Sequence, residues 1–163
     1  TAGNLMTWDQ YFINMLPAVA AKSKDKAFHV GSIIVGPDHE IRTTGYNSFV
    51  RGLADIHPER KESPEKYKWI EHAERNAIYN AARMGTQLKG CRIYISANPC
   101  IDCARAIVSV GIKEVVYDSD GAYERRKRYK SRGEDAYAVY IQEQKDIIRM
   151  FEECGVNQRG IAE

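Results

Sequence analysis

The chain has no run approaching the roughly 18 consecutive apolar residues that a helix needs to span a bilayer, which excludes a helical membrane protein. It does not open on an apolar export segment, and the expectation is a soluble, cytoplasmic protein with no membrane partner. Charge of one sign is scarce too. Lys and Arg number 24 against 22 Asp and Glu, and a net +2 is too small to argue for a nucleic-acid partner. Internal repeats and low-complexity tracts are absent. Four cysteines in 163 residues are too few to hold a chain of this size together by disulfides, so a reduced protein with a metal or redox use for Cys100 and Cys103 is expected. What remains, 44% hydrophobic and 28% charged, is the composition of one globular domain with a sizeable core. That domain is expected to cover 6–156, with 1–5 an expression remnant ahead of Met6 and 157–163 a tail.

Trp8, Tyr11, Phe12, Met15, Leu16 and Val19 recur at helical spacing and predict a first helix over about 7–22, with these side chains, aromatics included, facing the core. Val30, Ile33, Ile34 and Val35 form a β-branched run stopped by Gly36-Pro37-Asp38, and Ile41 to Tyr46 follow as a second strand, which predicts a hairpin. Residues 47–68 hold Gly52, Pro58 and Pro64 without periodicity and read either as a functional loop or as a solvated insertion. A helix from His72 to Met84 stops at Gly85, a strand covers 91–96, and a helix from Cys100 to Val110 stops at Gly111. A strand at Val115 to Tyr117 and a last helix carrying Tyr137, Tyr140, Ile147 and Phe151 complete the order. The late strand–helix–strand order implies parallel pairing with right-handed crossovers. The fold class is therefore α/β, a mixed sheet covered by helices on both faces, with an antiparallel pair at its start.

The chemistry concentrates in two helix starts. His72-Ala73-Glu74 opens one and Pro99-Cys100-Ile101-Asp102-Cys103 the other, and H-x-E followed by P-C-x-x-C is the signature of zinc-dependent nucleobase deaminases. One imidazole and two thiolates suit zinc, and three protein ligands leave a fourth tetrahedral position for water, whose pKa zinc lowers towards ~7. A helix N-terminus favours the thiolate form of Cys100 and Cys103. Glu74 lies two residues beyond His72, placed to move a proton without ligating the metal. The alternatives are a redox Cys-x-x-Cys pair, a closed structural zinc taking Cys91 or His57 as fourth ligand, and a plain core histidine at 72.

Val30 to Val35, Gly45-Tyr46-Asn47, His72 to Ile78, and Pro99 to Ala104 with Gly111 to Tyr117 together resemble the cytidine deaminase superfamily. Gly-Tyr-Asn followed by Arg51-Gly52, with the long loop before His72, is similar to its deoxycytidylate (dCMP) branch. The resemblance implies a three-layer α/β/α fold and hydrolysis of dCMP to dUMP and ammonia, a supply step for thymidylate synthesis. It implies Zn²⁺ on His72, Cys100 and Cys103 with Glu74 as catalytic residue. It implies substrate contacts from Asn47, the Ala73 backbone N–H, the loop ending at Pro99, and Tyr117. It further implies a homo-oligomer, a hexamer, activated by dCTP with Mg²⁺ and inhibited by dTTP near Asn47, Ser48, Arg51, Gly52 and Arg83. Two departures are visible: Ser48 and Val50 stand where relatives often have Gly and Pro, and little beyond Val156 remains to make a fifth strand, which is expected to be short or absent.

Arg125, Arg126, Lys127, Arg128, Lys130 and Arg132 crowd one short segment. The run reads as a solvated helix face or as a clamp for a phosphate of substrate or effector. The rival substrates are dCTP, dCMP and dCTP together, and a polynucleotide, for which a single basic run is a poor footprint.

Overall fold

A computed structural model describes residues 5–162; the expectation for residues 1–4 lies outside them. Thr7 starts helix α1 (Trp8–Ala20) by accepting from the Gln10 N–H, while the Gln10 side chain returns to the Thr7 N–H. A hairpin follows: β1 (Gly31–Val35) and β2 (Ile41–Tyr46) pair antiparallel. A short ladder of β3 (Ser48–Phe49) with β4 (Ile70–Glu71) brackets the loop, which carries 3₁₀ turns at Pro58–Lys61 and Glu65–Lys68. Then come α2 (Ala73–Met84), β5 (Arg92–Ile95), α3 (Ile101–Ser109), β6 (Glu114–Asp118), α4 (Ser119–Ser131), α5 (Glu134–Cys154) and β7 (Asn157–Ile161).

The sheet order is β2-β1-β5-β6-β7. β1 is antiparallel to both neighbours, while β5, β6 and β7 are parallel, so β1 alone runs against the rest. Strand alternation sorts the core into two layers. Ile34, Ile93, Ile95 and Val115 face α2, α3 and α5 through Ala77, Ala81, Ile107, Ile147 and Phe151. Ile33, Val35, Tyr94 and Val116 face α1 through Phe12, Ile13 and Leu16. This is the expected α/β/α arrangement, and β5–α3–β6 is the expected parallel crossover.

Three expectations are corrected. The α1 core face is Phe12, Ile13, Leu16 and Ala20; Trp8 and Tyr11 are about half exposed, and Trp8 instead stacks on His39 at 4.5 Å. The basic run is a separate helix, α4, divided from α5 by Gly133 at φ 110°, a conformation that favours glycine. Within the expected tail, Asn157–Ile161 form β7, a full fifth strand beside β6. Its polar sequence hides it, as an outermost strand needs little apolar surface. Arg159 fastens it by donating to Glu114 (2.7 Å) on β6 and to Asp9 (2.6 Å) on α1.

α2 lies close on the sheet because Gly45 has no side chain. A Cβ there would stand 2.3 Å from the Ala73 carbonyl oxygen and 2.4 Å from the Ala77 nitrogen, both backbone. Gly45→Ala is expected to cost about 2–3 kcal/mol, a Tm lower by roughly 5–10 °C in scanning calorimetry. A Tm within about 2 °C of the parent would contradict this close approach.

Candidate active site

His72 is the N-cap of α2 and Cys100 the N-cap of α3, so the two crossovers begin against each other at one end of the sheet. Hydroxyls and amides hold α2 there. Ser32 donates to the Ala73 carbonyl and Thr43 to the Ala77 carbonyl, each at 2.8 Å, and Asn76 donates to the Tyr46 carbonyl at 2.8 Å. Arg75 bridges the two helix starts, paired with Glu71 and 4.0 Å from Asp102.

His72 Nδ1 lies 3.4 Å from the sulfurs of both Cys100 and Cys103. In a tetrahedral zinc site, Zn–S of about 2.3 Å and Zn–N of about 2.0 Å put nitrogen and sulfur roughly 3.5 Å apart. The donor set therefore fits zinc in type and in spacing. Among the described residues no further His, Cys, Asp or Glu joins this group. Cys91 is in the core near the Gln87 carbonyl, and His57 pairs with Glu59, so neither alternative fourth ligand is in place.

The electrostatics agree. Hydrogen bonding from Cys103 pulls the Cys100 thiol down to about 3 against the effect of burial, and His72 adds to the pull. The same contact pushes Cys103 far above its ordinary range, with burial and Glu74 adding. His72 is raised by its contact with Cys100. The protein by itself stabilises one thiolate; a divalent cation between the sulfurs lets both ionise.

His72 and Cys100 line a cavity of about 190 Å³, with Val30, Asn47, Ala97 and Asn98, while Cys103 lies behind them, fully buried. Glu74, 5% exposed, sits in the first turn of α2 facing it. Ala73 is fully buried on the same wall, and its N–H, at the first helical position, has no partner within the helix. The Asn47 amide accepts from the Val30 N–H and donates to the Phe28 carbonyl, both at 2.9 Å, leaving one donor and one acceptor site free. Asn47 does not adopt the left-handed conformation of a turn residue.

Two sequence candidates are not brought to this cavity. Pro99 does not line it, although its neighbours Asn98 and Cys100 do. Tyr117 lies instead against Gly160 of β7, where an added Cβ would stand 2.8 Å from its ring. Ser48, Arg51, Gly52 and Arg83 gather with Asn47 around a second, larger cavity of about 560 Å³, together with Lys22, Lys24 and Lys26. Asn47, Asp25, Lys66 and Ile70 line both cavities. Ser32, Arg75 and Asn76 were not legible as site residues, because their partners are backbone groups or side chains on other elements.

Residues 6–119 match the family described as the cytidine and deoxycytidylate deaminase zinc-binding region. The chain is 38% identical over 120 residues to the deoxycytidylate deaminase of Homo sapiens, covering 71% of this chain and 66% of that protein. It is 35% identical over 150 residues to the probable deoxycytidylate deaminase of Drosophila melanogaster, covering 86% of this chain and 72% of that protein. This chain thus spans just under two thirds of the human relative's length. Its fold is similar to the dCMP deaminase of cyanophage S-TIM5 in complex with dCMP and dUMP, at TM-score 0.67 and 20% identity over 96% of this chain and 100% of that one.

Proposed function

The chain belongs to the cytidine and deoxycytidylate deaminase zinc-binding family, and within it we propose that it hydrolyses dCMP to dUMP and ammonia. The observation that carries this reading is the His72–Cys100–Cys103 group with Glu74 buried beside it, in a chain whose relatives include deoxycytidylate deaminases. His72, Cys100 and Cys103 would hold the zinc, which would supply the Lewis acid that lowers the pKa of water towards neutrality. Glu74 takes the proton of the water that adds to pyrimidine C4 and delivers it to N3. A C–O bond forms at C4; Glu74 then takes the proton of the new C4 hydroxyl and passes it to the amine, the C4–N bond breaks, and ammonia leaves as the C4 carbonyl forms. The Ala73 N–H holds the pyrimidine carbonyl, and the free donor of Asn47 faces the sugar.

The larger cavity is the candidate effector site. Its cations Lys22, Lys24, Lys26, Arg51 and Arg83 suit a triphosphate, dCTP with Mg²⁺ as activator or dTTP as inhibitor, in a hexamer. The shared residues Asn47 and Lys66 give such an effector a route to the substrate cavity. The product dUMP would feed thymidylate synthesis.

The test is ammonia release from dCMP, dCTP, deoxycytidine and a cytosine-containing single strand, with and without dCTP or dTTP. The expected result is turnover of dCMP, with added dCTP changing its saturation curve from sigmoidal to hyperbolic. An unchanged curve removes the effector reading, and activity only on dCTP or the strand replaces the substrate.

A further inference from the structure

The basic run divides by burial and by partner. Arg126, Lys127 and Lys130 are exposed; Arg126 donates to the Tyr137 hydroxyl at 2.8 Å and Lys127 pairs with Glu124 at 3.2 Å. Arg125 and Arg128 on the other side of α4, and Arg132 as its C-cap, recur at three- and four-residue spacing. All three line the cavity that holds His72, Glu74 and Cys100.

Their surroundings differ. Arg125 donates to the carbonyl of Asn98, two residues before Cys100, and lies 5.5 Å from the Tyr140 ring, so it is engaged with the protein. Arg128 lies over the Phe28 ring at 4.1 Å and Arg132 over the Tyr129 ring at 4.9 Å. Aromatic faces orient a guanidinium without using its N–H donors. Among the described residues neither Arg128 nor Arg132 pairs with a carboxylate, whereas Lys66 on the same wall is matched by the partly buried Asp25 at 3.2 Å. Burial, and then the charges of Arg125 and Arg132, make Arg128 a less comfortable cation than usual. Like charges brought together with free donors at a cavity need an anion. A phosphate monoester supplies nearly two charges and several acceptor oxygens for bidentate guanidinium contacts.

We propose that Arg128 and Arg132 hold the 5′-phosphate of the nucleotide whose base reaches Glu74 and the zinc ligands. This rests on the deaminase reading for the base, and it makes the phosphate the part of the substrate that α4 selects. The nucleotide spans from His72 and Cys100 on the cavity floor to Arg132, which is exposed at the rim.

The test is calorimetric binding of dUMP, dUTP and deoxyuridine to the zinc-loaded full chain. The parent is expected to prefer dUMP over deoxyuridine by at least about 100-fold. Arg128→Gln and Arg132→Gln are each expected to weaken dUMP roughly 10- to 100-fold and leave deoxyuridine unchanged, while Lys130→Gln on the solvent side changes neither. A parent without preference for dUMP, or an Arg128→Gln/Arg132→Gln double variant that binds dUMP like the parent, would overturn the proposal. So would losses confined to dUTP. Arginine-dependent dUMP binding without ammonia release from dCMP would remove the proposed function and keep the clamp; dCMP turnover with unaltered dUMP binding in the double variant would do the reverse.

Discussion

Glu74→Gln is expected to lower turnover of dCMP by roughly 10²- to 10⁴-fold, the range by which a positioned acid–base group accelerates proton transfer. Gln keeps the volume and the hydrogen-bonding reach of Glu but cannot carry a proton from one atom to another. Zinc content should not change, because the proposed ligand atoms belong to His72, Cys100 and Cys103. Stability should change little, since Gln fills the same volume in the first turn of α2. The measurement is initial rate at saturating dCMP together with elemental analysis of the same preparation. Turnover within a few-fold of the parent would take Glu74 out of the proton path.

Cys100→Ala is expected to abolish both metal and activity. Loss of an outer-shell partner alone costs a metal site roughly 10- to 100-fold in affinity, and removal of a thiolate ligand exceeds that. The effect reaches beyond chemistry, because His72 precedes α2 and Cys100 precedes α3. One ion bound there ties together the starts of two helices that sequence separates by 28 residues, so its binding free energy contributes to folding. Elemental analysis after dialysis should find little zinc, and calorimetry should find a lower Tm than for the parent. Full zinc occupancy would contradict the ligand assignment.

The parts of this site legible in the sequence are those that local spacing fixes. His72 and Glu74 sit on one turn, as do Cys100 and Cys103, and each pair is announced by its own helix start. The parts that were missed depend on contacts between distant segments. Asn47 could be named, but its amide is half occupied by Phe28 and Val30, which only the folded hairpin brings together. Tyr117 ends a strand near the site in sequence, yet its ring is turned onto β7, a strand whose Asn157-Gln158-Arg159 composition gives no apolar signal. Trp8 and Tyr11 share the helical period of Phe12 and Leu16 but lie at the margin of the stripe, where periodicity alone does not separate covered from uncovered positions.

β7 follows every other element in the sequence, yet it covers β6 as the last strand of the sheet, and its Arg159 reaches back 150 residues to Asp9. Until it docks, β6 presents a row of backbone donors and acceptors from Glu114 to Asp118 with no partner. A nascent or clipped polypeptide ending before Asn157 can carry a nearly complete interior and still offer that row to a second copy. Its characteristic failure would be association between molecules, strand against strand, before any loss of the interior itself.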